Sequence, residues 1–241
     1  MRFDDIPYDT IVFDEIFFSS VRKLARIKRY CEEHPEKIII ATGDTCQLES
    51  IDCITNQHDY DEYYNRCVDL IFPVNMFLKE NKRLKDPRDK ETLKAFKNDI
   101  FDESIPVEKT VRKYFKLIKE WNTTDNIAYR NTTCQKVSEE ARRRILNKLE
   151  PYEPMKKVVF HVNYEYTISG VSGSCVELND GVVVPLQLVQ KHFTHNYCRT
   201  CHSFQGSSIN KAITVFDWKF VHVNRKWLYT AVTRARDLRK G

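Results

Sequence analysis

The chain has 241 residues, 41% of them hydrophobic, with a formal net charge of +5 and a sequence pI near 8.7. That length and apolar content suffice for one large or two ordinary packed domains and exclude a disordered chain, while the charge suits a polyanion-binding protein without requiring one. The eight cysteines are scattered without the density of a disulfide scaffold, no apolar run approaches 18 residues, and no basic-then-apolar leader opens the sequence, which together predict a soluble, intracellular protein.

In chain order, Thr10-Ile-Val-Phe13 is a short apolar run ending in Asp14-Glu15. Lys37-Ile-Ile-Ile-Ala41 is a second, ending in Gly43-Asp44. Both are expected to be strands buried on two faces. Between them Ser19 or Ser20 can cap a helix whose Val21, Leu24, Ala25, Ile27, Tyr30 and Cys31 share one side, with Pro35 beyond its end. The result is a βαβ unit. Its crossover makes the strands parallel and brings both acidic ends to one rim of the sheet, where α/β proteins build their sites.

Residues 52–74 read as loop and helix, and Pro73 to Leu78 as a further strand. The charged, helical composition after Asp86-Pro87 marks a domain boundary near residue 85. Val107, Val111, Tyr114, Phe115, Ile118 and Trp121 then fall on one helix face, Ile127 to Arg130 forms a strand, and Val137, Ala141, Ile145 and Leu149 mark another helix. Over residues 155–190, short β runs separated by Ser-Gly and Asn-Asp-Gly turns make a small β module. Strands near 196–201 and 212–216 and a helix from about Trp227 return to the α/β pattern.

Asp14-Glu15 has the form of a Walker B strand end: Asp14 can hold Mg2+ as a hard oxygen ligand, and Glu15 can orient and deprotonate an attacking water. Gln47, in Thr42-Gly-Asp44-Thr-Cys-Gln47-Leu, can bond a terminal phosphate. Cys198-x-x-Cys201 beside His195 and His202 has local zinc-like spacing, but no second ligand pair lies at finger distance.

Asp14-Glu15 and Gly43-Asp44-x-x-Gln47-Leu resemble motifs II and III of superfamily 1 helicases, and further motifs follow in order. Leu78-Lys-Glu-Asn-Lys-Arg83 resembles motif IV, Cys198-Arg-Thr200-Cys-His202-Ser203-Phe-Gln205-Gly206 motif V, and Leu228-Tyr229-Thr-Ala-Val-Thr233-Arg234-Ala-Arg236 motif VI. The last two are most similar to the RecD-like branch. The resemblance implies an α/β fold: a partial first RecA-like domain over residues 1–85 and a second over 86–241, the latter carrying a Src-homology-3-like β-barrel insert at 155–190. It implies catalytic roles for Glu15, Gln47, Arg83 and Arg234, and nucleotide contacts from Asp14, Asp44, Gln205, Gly206 and Tyr229. Asn131, Thr132, Thr200, His202 and Ser203 would face the phosphates of a single strand, DNA in preference to RNA, with ATP and Mg2+ as cofactors.

No Gly-x-x-x-x-Gly-Lys-Ser/Thr occurs in the sequence. The expectation is therefore the C-terminal portion of an ATP-dependent helicase, weak or inactive alone, whose phosphate cradle comes from an upstream polypeptide. The alternative is a non-hydrolysing nucleic-acid-binding or regulatory module.

Overall fold

The computed structural model describes residues 7–48, 66–121, 123, 125–146, 158–160, 165–204, 208–236 and 238. The chain divides into two compact units, residues 1–81 and 82–241.

In the first unit, β1 (Thr10–Phe13) and β2 (Ile38–Ala41) pair in parallel, Thr10 opposite Ile38 and Phe13 opposite Ala41. The crossover is helix α1 (Val21–Glu33), and its N-cap is Ser20, whose hydroxyl accepts from the Lys23 N–H. Leu24 and Ile27 of α1 pack with Ile16, and with Val68 of α2 (66–71), into a core that also takes Phe13, Phe17 and Ala41. Among the described residues only one face of the sheet is covered in this way, contrary to the expectation of two. Val12, Ile38 and Ile40 on the other face are 57%, 60% and 44% exposed, because α1 and α2 supply apolar partners to one side alone. The expected strand at 73–78 is also absent: this segment joins no ladder, and Val74, Met76, Phe77 and Leu78 are all exposed.

The second unit opens with α3 (Pro87–Phe101), capped by the Asp86 carboxylate and started by a proline at its first position. It packs on α4 (Val107–Tyr114). Apolar spacing predicts a helix running on to Trp121, but α4 ends at Tyr114, and Phe115, Ile118 and Trp121 instead line an apolar cavity of about 420 Å³ beside β11 (Ile213–Val215). An edge-to-face contact between Trp121 and Phe216, centroids 5.2 Å apart, anchors that departure from the helix.

The central sheet is parallel, in the order β10 (Cys198–Thr200), β3 (Asp125–Ala128), β11. Helix α5 (Asn131–Leu146) follows β3 and buries Cys134, Val137 and Ala141; Leu149 lies outside the described residues. Helix α7 (Arg225–Val232) is buried from Trp227 to Val232, as expected of a helix enclosed on all sides. Arg225 ties its start to the end of α3, donating to the carbonyls of Ile100, Asp102 and Ile105.

The β module forms two antiparallel three-stranded sheets. One has the order β5 (Glu165–Tyr166), β4 (Val158–Phe160), β9 (Phe193–His195); the other β6 (Ile168–Ser172), β7 (Cys175–Leu178), β8 (Val183–Pro185). Ile168, Val176 and Leu178 form its core with Tyr166, Val184 and Phe193, and with Val189 of α6 (Leu186–His192). At the Asn179-Asp-Gly turn, Gly181 takes φ +83, a left-handed conformation natural to glycine, while the Asp180 carboxylate accepts from the Val182 N–H. Among the described residues these sheets do not close into the barrel expected from sequence.

Candidate functional site

At the C-terminal rim of β1–β2, Asp14 and Thr42 occupy adjacent strand ends. The Thr42 hydroxyl donates to Asp14 Oδ1 at 2.5 Å, and the Glu15 N–H donates to the same oxygen at 2.9 Å. Two donors on one oxygen fix the carboxylate's orientation. Glu15 itself stands at φ 52, ψ 48, a left-handed conformation that costs a non-glycine residue on the order of 1–3 kcal/mol and diverts the chain into the turn Ile16–Phe18. Consecutive acids thereby leave the strand in different directions. Gly43 is required by close packing here, since a Cβ would lie 2.7 Å from Phe17 Cδ2. Asp44 Oδ1 accepts from the Cys46 N–H and the Asp44 carbonyl accepts from the Gln47 N–H, which closes the turn that presents Gln47.

In the second unit, Arg83 and Arg234 meet at the C-terminal end of α7. Arg83 Nη1 donates to the Thr233 carbonyl at 2.9 Å, while Arg234, fully buried, donates from Nε to the Thr230 carbonyl at 3.2 Å. The unit division between residues 81 and 82 places both arginines in one body. Tyr229 is buried, edge-to-face with Phe101 at 5.5 Å, and Lys97 lies over its ring.

A second rim lies where β3 and β10 end. Asn131 and Thr132 are exposed at the start of α5, and Thr200 and Ser203 form a local turn in which the Ser203 hydroxyl donates to the Thr200 carbonyl at 2.9 Å. His202 is half-buried beside them, and burial holds its imidazole below the ordinary value. Asn131, Thr200 and Ser203 line one cavity of about 360 Å³. Gln205 and Gly206 lie outside the described residues. Cys198 sits beside Cys134, and the Cys201 thiol, pushed up to about 12 by burial, donates to the Trp227 carbonyl. Among the described residues, no three metal-ligating side chains cluster.

Sequence reasoning missed the residues that hold this rim. Asp217, at φ 59 just after β11, accepts from the Arg130 N–H and guanidinium and from the Thr133 hydroxyl, so that it pins the β3–α5 junction. Burial pushes its carboxyl up, but these bonds outweigh it and leave Asp217 below the ordinary value. Asn126, fully buried in β3, donates to the Tyr197 carbonyl at 2.7 Å, and Ser138 accepts from the Cys198 N–H. A polar residue in a β run is the only sequence signal that Asn126 offers.

The shifts set a pH profile. His195, like His202, is held below imidazole's ordinary 6.5 chiefly by burial, with Arg142 adding to the effect. The unfolded chain takes up these protons first as pH falls, so the contribution to stability is complete above about pH 6.5 and is lost as pH drops through the folded values. Asp217, also depressed, contributes above the ordinary carboxylate range and loses that contribution in stronger acid. The expected outcome in thermal unfolding is a midpoint that is flat between about pH 6.5 and 8, lower near pH 5, and lower again below about pH 4.

Residues 195–238 match the UvrD-like helicase C-terminal domain. No curated protein matches the chain. Among solved structures, the fold resembles that of a Pif1 helicase from a study of two coordinating Pif1 helicases unwinding forked double-stranded DNA, with a TM-score of 0.60 and 14% identity over 96% of this chain and 68% of that one. It also resembles Pif1 from Candida albicans, at TM-score 0.58 and 12% identity over 96% and 70% of the two chains. Pif1 from Bacteroides in complex with ADP-AlF3 and single-stranded DNA gives 0.57 and 14% over 97% and 70%. The chain therefore shares the fold of these Pif1 helicase structures, with a helicase C-terminal domain matched over residues 195–238, and no helix among its described residues is long and apolar enough to cross a membrane.

Proposed function

We propose that the chain is the C-terminal portion of an ATP-dependent helicase that moves along single-stranded nucleic acid, DNA in preference to RNA. The observation that carries this reading is that residues 195–238, matched to a helicase C-terminal domain, hold Arg234 at the end of α7, where Arg83 joins it from the motif IV segment. In this reading residues 82–241 are the second RecA-like domain and the β module is its Src-homology-3-like insert.

The Asp14 carboxylate suits magnesium, a cation that prefers hard oxygen ligands and keeps several of its waters: it is exposed at a strand end and oriented through a single oxygen by Thr42 and the Glu15 N–H. Bound ATP and Mg2+ would supply the phosphoryl group to be transferred. Asp14 would hold the cation, Glu15 would serve as the base for the attacking water, and Gln47, Asp44, Gln205, Gly206 and Tyr229 would contact the nucleotide. Arg83 and Arg234 would supply fixed charge, with planar donor geometry, to the terminal phosphate. Asn131, Thr132, Thr200, His202 and Ser203 grip strand phosphates, which positions a strand without reading its sequence.

The decisive experiment joins this chain to an upstream segment bearing a phosphate loop and measures ATP hydrolysis with and without single-stranded DNA. Stimulation by the strand is expected. Tight, salt-sensitive strand binding with no hydrolysis under any condition would instead establish a non-hydrolysing binding module.

A further inference from the structure

The two cysteines of Cys198-x-x-Cys201 part company in the fold. Cys201 turns to Trp227 and donates to its carbonyl at 3.8 Å, while Cys198, the first residue of β10, meets Cys134 of α5. Backbone and side-chain bonds fix that meeting. The Cys198 N–H donates to Ser138 Oγ at 3.0 Å, and Ser138 stands one helical turn beyond Cys134 on the same side of α5. From the other direction, Cys198 is held opposite Asn126 in the β10–β3 ladder. The two thiols are hydrogen-bonded, Cys198 donating to Cys134, in a cluster with Ala128 and Val137. This bond holds the Cys134 thiol below its ordinary value against the opposing effect of burial, and with burial it raises the Cys198 thiol.

We propose that Cys134 and Cys198 are a reversible dithiol–disulfide couple, oxidised by hydrogen peroxide and joining α5 to β10 when oxidised. Cys134 is the attacking sulfur, because the thiolate is the nucleophilic form and Cys134 is the more acidic of the two. Its thiolate attacks one peroxide oxygen and the O–O bond breaks. Cys134 becomes a sulfenic acid, and the departing hydroxide takes the Cys198 proton to leave as water. The Cys198 thiolate then attacks the Cys134 sulfur, the S–O bond breaks, and the hydroxide released takes up the proton that Cys134 first gave to solvent. Two thiols thus lose two electrons and two protons, and one peroxide is reduced to two waters. With only 8% and 6% of their surfaces exposed, the two residues are closed to a large disulfide such as oxidised glutathione, which makes a small peroxide the fitting oxidant.

The test treats the full chain with hydrogen peroxide, alkylates it with iodoacetamide under denaturing conditions and digests it with trypsin. Cleavage after Arg130, Lys136, Lys191, Arg199 and Lys211 puts Cys134, Cys198 and Cys201 in separate peptides, 131–136, 192–199 and 200–211. The expected result is a joined 131–136 and 192–199 pair, about 2 Da lighter than the two free peptides together and separated by dithiothreitol. Because the bond closes a long loop between partners already in contact, the oxidised chain should also melt about 5–15 °C above the reduced one. A bond from 192–199 to 200–211, or no bond between 131–136 and 192–199, overturns the proposal. So does a joined pair without a rise in the midpoint, which would show sulfurs drawn together from outside their native positions.

Discussion

In the chain joined to an upstream phosphate loop, Glu15→Gln is expected to lower DNA-stimulated ATP hydrolysis by about 10²–10⁴-fold, the range for removal of a general base, the role proposed for Glu15. The amide has nearly the volume of the carboxylate but cannot accept a proton. Asp14 is unaffected: its orientation depends on the Thr42 hydroxyl and on the backbone N–H of residue 15, and the substitution leaves both in place. Binding of Mg-ATP and of single-stranded DNA should therefore persist, so that the loss falls on kcat. Unchanged hydrolysis would remove Glu15 from the chemistry and with it the catalytic reading of the Asp14-Glu15 pair.

Much of the molecule was legible in its sequence wherever a local rule and its tertiary setting agree. Ser20 caps α1, the acidic strand ends share a parallel rim, and Asn179-Asp-Gly makes the turn that its residue types demand. The failures occur where a pattern needs a partner that spacing cannot show. Among the described residues, Pro73 to Leu78 has strand composition but no neighbouring strand to complete a ladder, and Val12, Ile38 and Ile40 have core composition but no covering layer. Phe115, Ile118 and Trp121 keep helical spacing beyond Tyr114, yet Trp121 is drawn to Phe216, and that contact decides the backbone.

The candidate site divides along the same line. Residues proposed to do chemistry at strand and helix ends carry short motifs, so Asp14, Glu15, Arg234 and Thr200 stand out. Residues that hold those ends together act across the chain and leave no local mark. Asp217 reaches back to Arg130 and Thr133, and Thr42 is an unremarkable hydroxyl until its bond to Asp14 is seen.

Asn126 is the clearest of these holding residues, and its removal should be the most damaging to the second unit. Its Nδ2 donates to the Tyr197 carbonyl at 2.7 Å and to the Thr123 carbonyl at 3.1 Å, while Oδ1 accepts from the Thr123 hydroxyl, which also contacts the Thr214 hydroxyl at 2.7 Å. A single amide thus links β3 to the approach to β10 and to β11, all within a fully buried setting. Asn126→Ala leaves the Tyr197 carbonyl without its Asn126 donor and opens a void, so about 2–4 kcal/mol is expected to be lost. For a unit of this size that is a fall in melting temperature of about 5–15 °C. The loss should extend to the strand binding proposed above, because Tyr197 leads into β10 and a freed carbonyl there loosens the rim that carries Thr200 and Ser203: oligo-dT binding is expected to weaken even at temperatures where the variant is folded. A variant that melts like the unaltered chain would show that the hydrogen bonds within the β10–β3–β11 sheet hold the rim without Asn126. Asn126→Asp provides the complementary measurement, since it keeps the shape and the acceptor but replaces the donor to two carbonyls with a buried acid, and it should be at least as destabilising as alanine.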